Sequence, residues 1–353
     1  MRGRWQRLSF TTISLWLIGG LIALLIVVGS VATLGAAKYT GRQWFDLFVF
    51  GLAQGSIYAL IALGYTLVYG ILRMINFAHS EVFMSGAFTG YFIASGLNRA
   101  DVMDNNPFLG LLAVFAVAIL TSVIVAVLLE RIAYRPLRRA PRLVPLITAI
   151  GASFFLQYTF RGLFGSQLRS YPEVAALEGT WSLGGEFRIQ IIQVLVVVAA
   201  AVLMAGLYFF VQKTRTGKAM RAVSEDKDVA ALMGIDVDAI IVRTFILGAA
   251  LAGAAGVLYA FMFRGVSFFM GFVPGIKAFT AAVLGGIGNI PGAMLGGLFL
   301  GLFESIGPTL FLDGLGIPAP YQLKDVIAFT MLVLVLVFRP QGILGERLGK
   351  KKA

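Results

Sequence analysis

Runs of about 20 predominantly apolar residues recur along the chain, and they restrict its fold more strongly than any other feature. A helix of that length just crosses the hydrocarbon core of a bilayer, where every backbone polar group must be satisfied within the protein. The composition agrees, because 59% of the residues are apolar and 13% are charged, whereas a soluble domain has about 25% charged residues. The sequence therefore predicts an all-α polytopic membrane protein with about 9–10 transmembrane segments, some of them short or broken.

Ten segments are candidates for these membrane crossings. Segments 82–96 and 276–287 are too short to cross alone, and short or interrupted segments often form broken helices beside a transport path. For both segments, the alternative is an ordinary tilted helix that is frayed at one end. The ten candidates span residues 13–34, 47–70, 82–96, 108–129, 143–164, 189–211, 241–263, 276–287, 291–311 and 324–338.

Lys and Arg residues indicate how these segments are oriented, because loops rich in these residues stay in the cytoplasm. If the N-terminus starts in the cytoplasm, most of the 29 Lys and Arg residues fall on the cytoplasmic side. Ten crossings also return the C-terminus to that side. Residues 1–37 fit a signal peptide in outline, but their apolar run is longer than the usual length of about 7–15 residues, so an uncleaved first helix is favoured.

Few residues that support catalysis or metal binding are present. The chain has no Cys and a single His, His79, which excludes thiol nucleophiles and Cys-based zinc sites and argues against a His-rich metal site. Residues 216–219 (TGKA) are similar to the end of a phosphate-binding loop, but position 219 is neither Ser nor Thr. We therefore expect a protein that is not an enzyme and that binds no cofactor or metal itself. Its net charge of +12 indicates membrane orientation rather than nucleic-acid binding.

Residues 212–240 form the longest polar stretch on the predicted cytoplasmic side. Ser224 is a candidate N-cap, Glu225 and Asp226 would lie in the first helical turn, and Gly234 fits the position after the last turn. This pattern predicts a short amphipathic helix of about two and a half turns, and residues 217–223 ahead of it predict another short helical piece. Its apolar side would contact either lipid headgroups or a peripheral protein, and its mixed charges favour a protein.

Polar residues within apolar segments are costly in lipid and are candidates for a transport path. Gln54 lies within the second segment, and Asn76, His79 and Glu81 follow its end. For these three residues, a helix break capped by polar side chains is the alternative. Glu304 lies deep in an apolar segment, with no basic residue visible at the same depth. It either faces a water-filled path or is protonated and hydrogen-bonded in a packed interface.

Small residues four positions apart predict close contacts between membrane helices, because they let two backbones approach each other. A path lined by glycines is the alternative. The residues with this spacing are Gly288, Gly292 and Gly296, then Gly297 and Gly301, and finally Gly248, Ala252 and Gly256.

Several long segments are similar to one known family of membrane proteins. They are residues 51–70 (GLAQGSIYALIALGYTLVYG), 74–81 (MINFAHSE), 130–137 (ERIAYRPL), 222–235 (AVSEDKDVAALMGI), 277–294 (KAFTAAVLGGIGNIPGAM) and 338–345 (FRPQGILG). From about residue 44 to 347, the sequence resembles the LivH-type permease subunits of ABC importers for branched-chain amino acids. Matching segments of this length are far more specific than a short motif.

The resemblance implies a domain organisation and a set of partners. Residues 44–347 would form the permease domain. Residues 1–43 extend beyond the shorter family members, and their own apolar run predicts an extra transmembrane helix, while residues 348–353 would form a basic cytoplasmic tail. The partners would be a second homologous permease, two ABC ATPase subunits that bind ATP and Mg²⁺, and an extracytoplasmic substrate-binding protein. The protein would lie in the bacterial plasma membrane and translocate branched-chain or other apolar amino acids by ATP-driven alternating access.

The resemblance also implies roles for individual residues. The polar stretch would be a cytoplasmic coupling helix that contacts the ATPase, with these contact or shaping residues: Gly217, Ala222, Glu225, Asp226, Ala231 and Gly234. The candidate residues of the translocation path are Gln54, Asn76, His79, Glu81, Asn289 and Glu304.

Two other functions stay open at this point. Urea-type permeases share much of the same frame, and Phe77 after Asn76 favours the amino-acid branch, although Ser80 stands where the family usually has Gly. An ion-coupled secondary transporter would use Glu304 and His79 as ion sites. That alternative gives the amphipathic cytoplasmic helix no role.

Overall fold

The structure, a computed structural model, describes residues 10–138, 140–141, 143–339 and 341–345. The basic residues of the first nine positions and the predicted tail at 348–353 lie outside the described residues. The helices of the described chain are α1 (Phe10–Gly35), α2 (Gly41–Leu72), α3 (His79–Arg99), α4 (Val102–Asn105), α5 (Pro107–Leu128), α6 (Leu143–Phe164), α7 (Ile191–Lys213), α8 (Arg215–Glu225), α9 (Lys227–Leu232), α10 (Val237–Phe263), α11 (Phe272–Gly285), α12 (Ile290–Gly307) and α13 (Lys324–Phe338).

Each of the ten predicted segments overlaps one of these helices. Within the described ranges, eight helices are long and apolar enough to cross a membrane. The other two segments lie in α3 and α11. Segment 82–96 is part of a longer helix, because His79, Ser80 and Glu81 also belong to α3, which has 21 residues. The prediction for 276–287 is confirmed, because the 14 residues of α11 extend only about 21 Å, against a hydrocarbon core of about 30 Å.

α2 and α10 form the centre of the bundle. In the most apolar window of each, 72% of the residues are buried, against 11% in α1 and 6% in the span that contains α13. The predominantly apolar sequences of α2 and α10 therefore pack against protein on nearly all sides. α1 and α13 leave most of their apolar surface on the outside of this chain, as expected for helices that contact lipid or another membrane subunit.

Glycines bring α2 and α12 into direct backbone contact. A Cβ atom added to Gly301 would lie 2.3 Å from the Cα of Gly55, and one added to Gly297 would lie 2.4 Å from the Cα of Ala59. The packing interpretation of these small residues is therefore confirmed for Gly297 and Gly301. Gly288 is different, because it has a φ of +99° and open space beside it, and it serves the turn before α12 rather than a helix contact.

One end of the bundle carries two short antiparallel β-ribbons, and we call it the ribbon end. β1 (Arg169–Ser170) pairs with β4 (Gly265–Val266), and β2 (Thr180–Gly184) pairs with β3 (Phe187–Gln190). The sequence analysis predicted no strands. Gly184 and Gly185 have positive φ, which suits the tight turn between β2 and β3.

The opposite end carries α8 and α9, and we call it the α8 end. α2 runs from one end to the other. Near its start, the Phe45 ring lies 5.0 Å (centroid to centroid) from the Phe187 ring of β3. After its end, the Arg73 guanidinium donates a hydrogen bond to the carbonyl of Ser224 in α8 (3.1 Å). The polar loops of the two ends are thus separated by the full length of this central helix.

Candidate translocation and docking sites

Three charged side chains from three helices meet inside the bundle. Lys277 Nζ in α11 lies 2.5 Å from Oε1 of Glu304 in α12 and 2.6 Å from Oδ1 of Asp325 in α13. Lys277 and Glu304 are buried, whereas the Asp325 side chain is 44% exposed. The statement that Glu304 has no basic partner at its depth is therefore wrong. When all three groups are ionised, the cluster carries one more negative than positive charge.

Gln54 lies beside this cluster. Its Nε2 donates a hydrogen bond to the Tyr58 hydroxyl (2.6 Å), and the centroid of the Tyr58 ring lies 5.9 Å from the Lys277 ammonium. Gln54 and Tyr58 are both buried. The structure therefore joins two of the predicted path residues, Gln54 and Glu304, in one polar region that is buried except at Asp325.

Glu81 forms a second buried cluster near the start of α3. Its Oε1 accepts hydrogen bonds from Gln157 Nε2 (2.7 Å), Ser153 Oγ (3.1 Å) and Ser80 Oγ (3.2 Å). Glu81 is fully buried, and its Oε2 has no hydrogen-bond partner among the described residues. Because Ser153 and Gln157 belong to α6, this carboxyl group connects α3 to α6.

His79 and Asn76 have different neighbours. The His79 ring packs edge-on against Tyr65, with centroids 5.0 Å apart, and its Nε2 makes no hydrogen bond within the described chain. Gly64 provides the space, since a Cβ atom there would lie 2.0 Å from that nitrogen. Asn76 Oδ1 accepts a hydrogen bond from the buried hydroxyl of Tyr134 (2.5 Å). Neither residue contacts the cluster around Glu304.

The alternative of a helix break capped by Asn76 and Ser80 is wrong for the start of α3. Ala78 occupies the N-cap position without a side-chain bond, and the Ser80 hydroxyl donates to the backbone three residues earlier. Asn289, by contrast, is a true N-cap, because its Oδ1 accepts from the Gly292 N–H (3.0 Å). Its Nδ2 donates to the carbonyl of Leu344 (2.9 Å), so Asn289 holds the start of α12 against the chain that follows α13.

The polar stretch at the α8 end forms two helices, α8 and α9, and α8 contains the short helical piece predicted at residues 217–223. Thr214 caps α8 by accepting from the Gly217 N–H (3.0 Å). Asp226 caps α9 by accepting from two backbone N–H groups of its first turn (2.9 and 3.0 Å). The prediction of Ser224 as an N-cap is wrong, since this residue lies in the last turn of α8. Gly234 has a φ of +81° just after α9, as expected for a C-terminal glycine.

The six predicted coupling residues differ in how far they are exposed. Gly217 is buried, and a Cβ there would lie 2.3 Å from the carbonyl oxygen of Val211, so this residue shapes the α7–α8 connection. Glu225, Asp226, Ala231 and Gly234 are exposed, and Ala222 is half-buried.

The apolar side chains of α8 and α9 face in opposite directions. Met220 and Val223 of α8 are buried against the bundle, so this helix already has its partner within the chain. Around α9, the side chains of Val229, Leu232 and Met233 are 54%, 86% and 78% exposed. We call these three residues the α9 patch. It is an apolar surface surrounded by charged residues, as found at sites of protein contact.

A network of charges that the sequence analysis did not select lies next to α9. Arg138 pairs with both Glu130 and Asp238, and Arg135 also pairs with Asp238 (2.7 Å). Glu130 is fully buried in a π-helical turn, Leu129–Tyr134, that continues α5. The network therefore connects the end of α5 to the start of α10. Residues 130–137 match the family in sequence, and this match is the feature from which the importance of Glu130 and Arg135 could have been predicted.

This network also influences the α8–α9 segment. Burial lowers the pKa of the Lys227 ammonium at the start of α9, and the nearby positive charges of Arg138 and Arg73 lower it further. Arg73 in addition binds the backbone of α8. The two short helices are thus in electrostatic contact with the ends of α2 and α5.

The polar residues of the bundle are arranged for hydrogen bonds and ion pairs with one another. Across the described residues, no group of three or more His, Asp or Glu side chains is placed to hold a metal ion. The six candidate path residues do not form one site, because Asn76, His79, Glu81 and Asn289 each have their own contacts away from Glu304.

The similarity to known proteins covers nearly the whole bundle. Residues 47–336 match the family described as "Branched-chain amino acid transport system / permease component". This chain belongs to that family. The resemblance found in the sequence is therefore confirmed, and it extends from α2 into α13.

Individual members of this family are similar to this chain over most of their length. BraD of Pseudomonas aeruginosa, a "high-affinity branched-chain amino acid transport system permease protein", is 47% identical over 307 residues, which are 86% of this chain and 96% of that protein. LivH of Escherichia coli K12, named in the same words, is 41% identical over 300 residues, which are 84% of this chain and 94% of that protein. A solved structure, PsaBC from Streptococcus pneumoniae in complex with Fab, aligns with 91% of this permease at 14% identity and a TM-score of 0.42.

Proposed function

We propose that this chain is a membrane-spanning permease subunit of an ABC importer that carries branched-chain amino acids across the bacterial plasma membrane. The observation that carries this proposal is the 47% identity to BraD, a high-affinity branched-chain amino acid permease, over 86% of the chain. The eight helices able to cross a membrane agree with it. On this proposal, the chain is not itself an enzyme.

The proposed orientation puts the α8 end in the cytoplasm. Basic residues are numerous at this end, and loops rich in Lys and Arg stay on the cytoplasmic side. They include Arg73, Arg131, Arg135, Arg138, Lys213, Arg215, Lys218, Arg221 and Lys227. α1 and α13 would then start and end in the cytoplasm, so that both termini lie there. The ribbon end would face the external binding protein.

The α9 patch is the proposed contact with an ATPase subunit. Val229, Leu232 and Met233 present exposed apolar surface, while Asp226 and Gly234 fix the two ends of the helix that carries them. ATP and Mg²⁺ would bind to two such partner subunits, and this chain would hold no cofactor. A second homologous permease would complete the membrane part of the importer.

The charge network next to α9 gives a route for the coupled movement. Rotation of α9 by the ATPase would displace Lys227 relative to Arg138 and Arg73, which are attached to the ends of α5 and α2. The chain would thus alternate between outward and inward access as the ATPases bind and hydrolyse ATP. Such coupling requires that ATP favours one of the two conformations over the other.

Replacement of Leu232 by Asp tests this proposal. The full importer would be assembled in proteoliposomes with its partner permease, ATPases and binding protein. A charge at the centre of the α9 patch should reduce co-purification of the ATPase subunits at least about tenfold, because a buried anchor residue contributes about 2 kcal/mol or more to an interface. ATP-driven leucine uptake should fall with it.

Leu168→Asp is the matched control. Leu168 is 74% exposed at the ribbon end, so the same substitution there should leave the binding of the ATPases unchanged. Full ATPase binding by the Leu232→Asp variant would show that the α9 patch is not the contact. Leucine uptake that follows an imposed proton gradient and continues without ATP would contradict the importer assignment itself.

A further inference from the structure

A cavity of about 620 Å³ opens at the ribbon end of the bundle. It lies between the first turns of α2, the β2–β3 ribbon, the start of α7 and the segment before α13. Its charged lining residues are Arg42, Asp46 and Arg188, and its apolar wall includes Leu47 and Phe50. A volume of this size is within the range of about 300–1,000 Å³ that is typical of small-molecule sites.

The walls of the cavity are fixed by the local structure. Thr40 and Gln43 form a reciprocal capping box, which sets the first turn of α2 and hence the direction of Arg42. Arg42 and Asp46 are four residues apart and therefore lie on the same face of α2. In β3, Arg188 and Gln190 are two residues apart, so both side chains point to the same side of the ribbon, into the cavity.

The charges of the cavity are available to a ligand. The Arg188 guanidinium makes no hydrogen bond or ion pair with any described residue, although the Arg188 backbone pairs with Ser182 in the ribbon. The pair between Arg42 Nε and Asp46 Oδ2 is long, at 3.9 Å, and both side chains are about half exposed. An exposed pair of this kind contributes little, so a ligand can replace it at small cost. The cavity thus offers two guanidinium groups, one carboxylate and an apolar wall.

These groups match the parts of an aliphatic α-amino acid. A guanidinium group binds a carboxylate through two parallel N–H···O bonds, and an aspartate accepts hydrogen bonds from an ammonium group. The apolar surface of Leu47 and Phe50 suits a branched hydrocarbon side chain. We propose that this cavity is a binding site for zwitterionic aliphatic amino acids on the outer face of the permease, in which Arg188 and Arg42 bind the carboxylate and Asp46 binds the ammonium group.

This inference rests on the proposed import of branched-chain amino acids and assigns that function an entry site on this chain. It also gives the permease a means of selection beyond that of a binding protein. Urea and simple amides have neither the carboxylate nor the ammonium group, so the cavity would not retain them.

The test measures binding of radiolabelled leucine to the assembled importer in nanodiscs, in the absence of the binding protein. Unlabelled leucine should compete, whereas leucinamide, without a carboxylate, and 4-methylpentanoate, without an ammonium group, should each compete at least about tenfold less well. Arg188→Gln should weaken leucine binding by a similar factor. Asp46→Asn should abolish the preference for leucine over 4-methylpentanoate, which a general loss of structure would not do.

Arg99→Gln is the control, because Arg99 is exposed at the same end, has no described partner and does not line the cavity. It should bind leucine as the unmodified importer does. The proposal is overturned if leucine fails to compete, or if Arg188→Gln weakens docking of the binding protein but leaves leucine binding intact. Leucine uptake by the complete importer is measured in parallel. If the cavity is not a leucine site but the proposed import function is correct, leucine uptake would persist.

Discussion

Substitution of Lys277 by Met would leave Glu304 and Asp325 beside each other without a cation. Lys277 and Glu304 have side chains that are 4% and 1% exposed and lie 2.5 Å apart, so the Glu304 carboxylate would have to remain buried alone or take up a proton. Removal of one partner of a buried ion pair costs about 3–5 kcal/mol. We therefore expect Lys277→Met to lower the free energy of unfolding by about that amount.

The charge balance of the cluster makes Glu304→Gln much less harmful. This substitution removes the surplus negative charge and leaves Lys277 paired with Asp325 at 2.6 Å. Glu304→Gln should lower the free energy of unfolding by about 1 kcal/mol, which is the usual contribution of one hydrogen bond. The double variant Lys277→Met/Glu304→Gln should be more stable than Lys277→Met alone, because the remaining charge, on Asp325, is 44% exposed to solvent.

The free energy of unfolding would be measured by titrating the purified chain from dodecylmaltoside into sodium dodecyl sulfate and following Trp fluorescence. Lys324→Met is the control, since Lys324 has no ion-pair partner among the described residues and should change stability by less than about 0.5 kcal/mol. The reasoning is refuted if Lys277→Met and Glu304→Gln destabilise the chain equally, or if their effects add in the double variant.

Two further predictions concern other contacts. Gly301→Val should sharply reduce the yield of monodisperse protein on size-exclusion chromatography, because its Cβ would overlap the α2 backbone, whereas Gly20→Val, with open space beside it, should not. The Lys38–Asp313 hydrogen bond raises the pKa of Lys38 and lowers that of Asp313, so this pair stabilises the chain between the two values. Its contribution is lost as the pH falls through the depressed pKa of Asp313 or rises through the raised pKa of Lys38. Thermal unfolding from pH 3 to 6 should therefore show a smaller pH dependence in Asp313→Asn than in the unmodified chain.

The membrane helices could be predicted from the sequence because the bilayer imposes a length and a polarity on each of them. The error at α3 came from the same rule. The helix was predicted to start only at residue 82 because His79 to Glu81 are polar, but Glu81 accepts hydrogen bonds from Ser153 and Gln157 and is fully buried. Burial against other helices cannot be seen in a single segment.

The contacts between distant segments were not predictable from local patterns. Lys277 and Glu304 are 27 residues apart on different helices, and only the packing of α11 on α12 brings them together. The choice between Ser224 and Asp226 as the helix cap had a similar cause. Both residue types favour this position, but α8 extends through Ser224, so that Asp226 is the first residue with an extended backbone.

The backbone contact between α2 and α12 limits how this chain can move. Helices that touch at Gly55 and Gly301, with no side chain between them, cannot slide or roll past one another without collision of their main-chain atoms. The two helices must therefore move together as one rigid body during any transport cycle. α11 belongs to the same rigid unit, because a Cβ atom added to Gly296 of α12 would lie 2.1 Å from the carbonyl oxygen of Ala281 in α11. The flexing therefore has to occur elsewhere, such as at the joints on either side of α8.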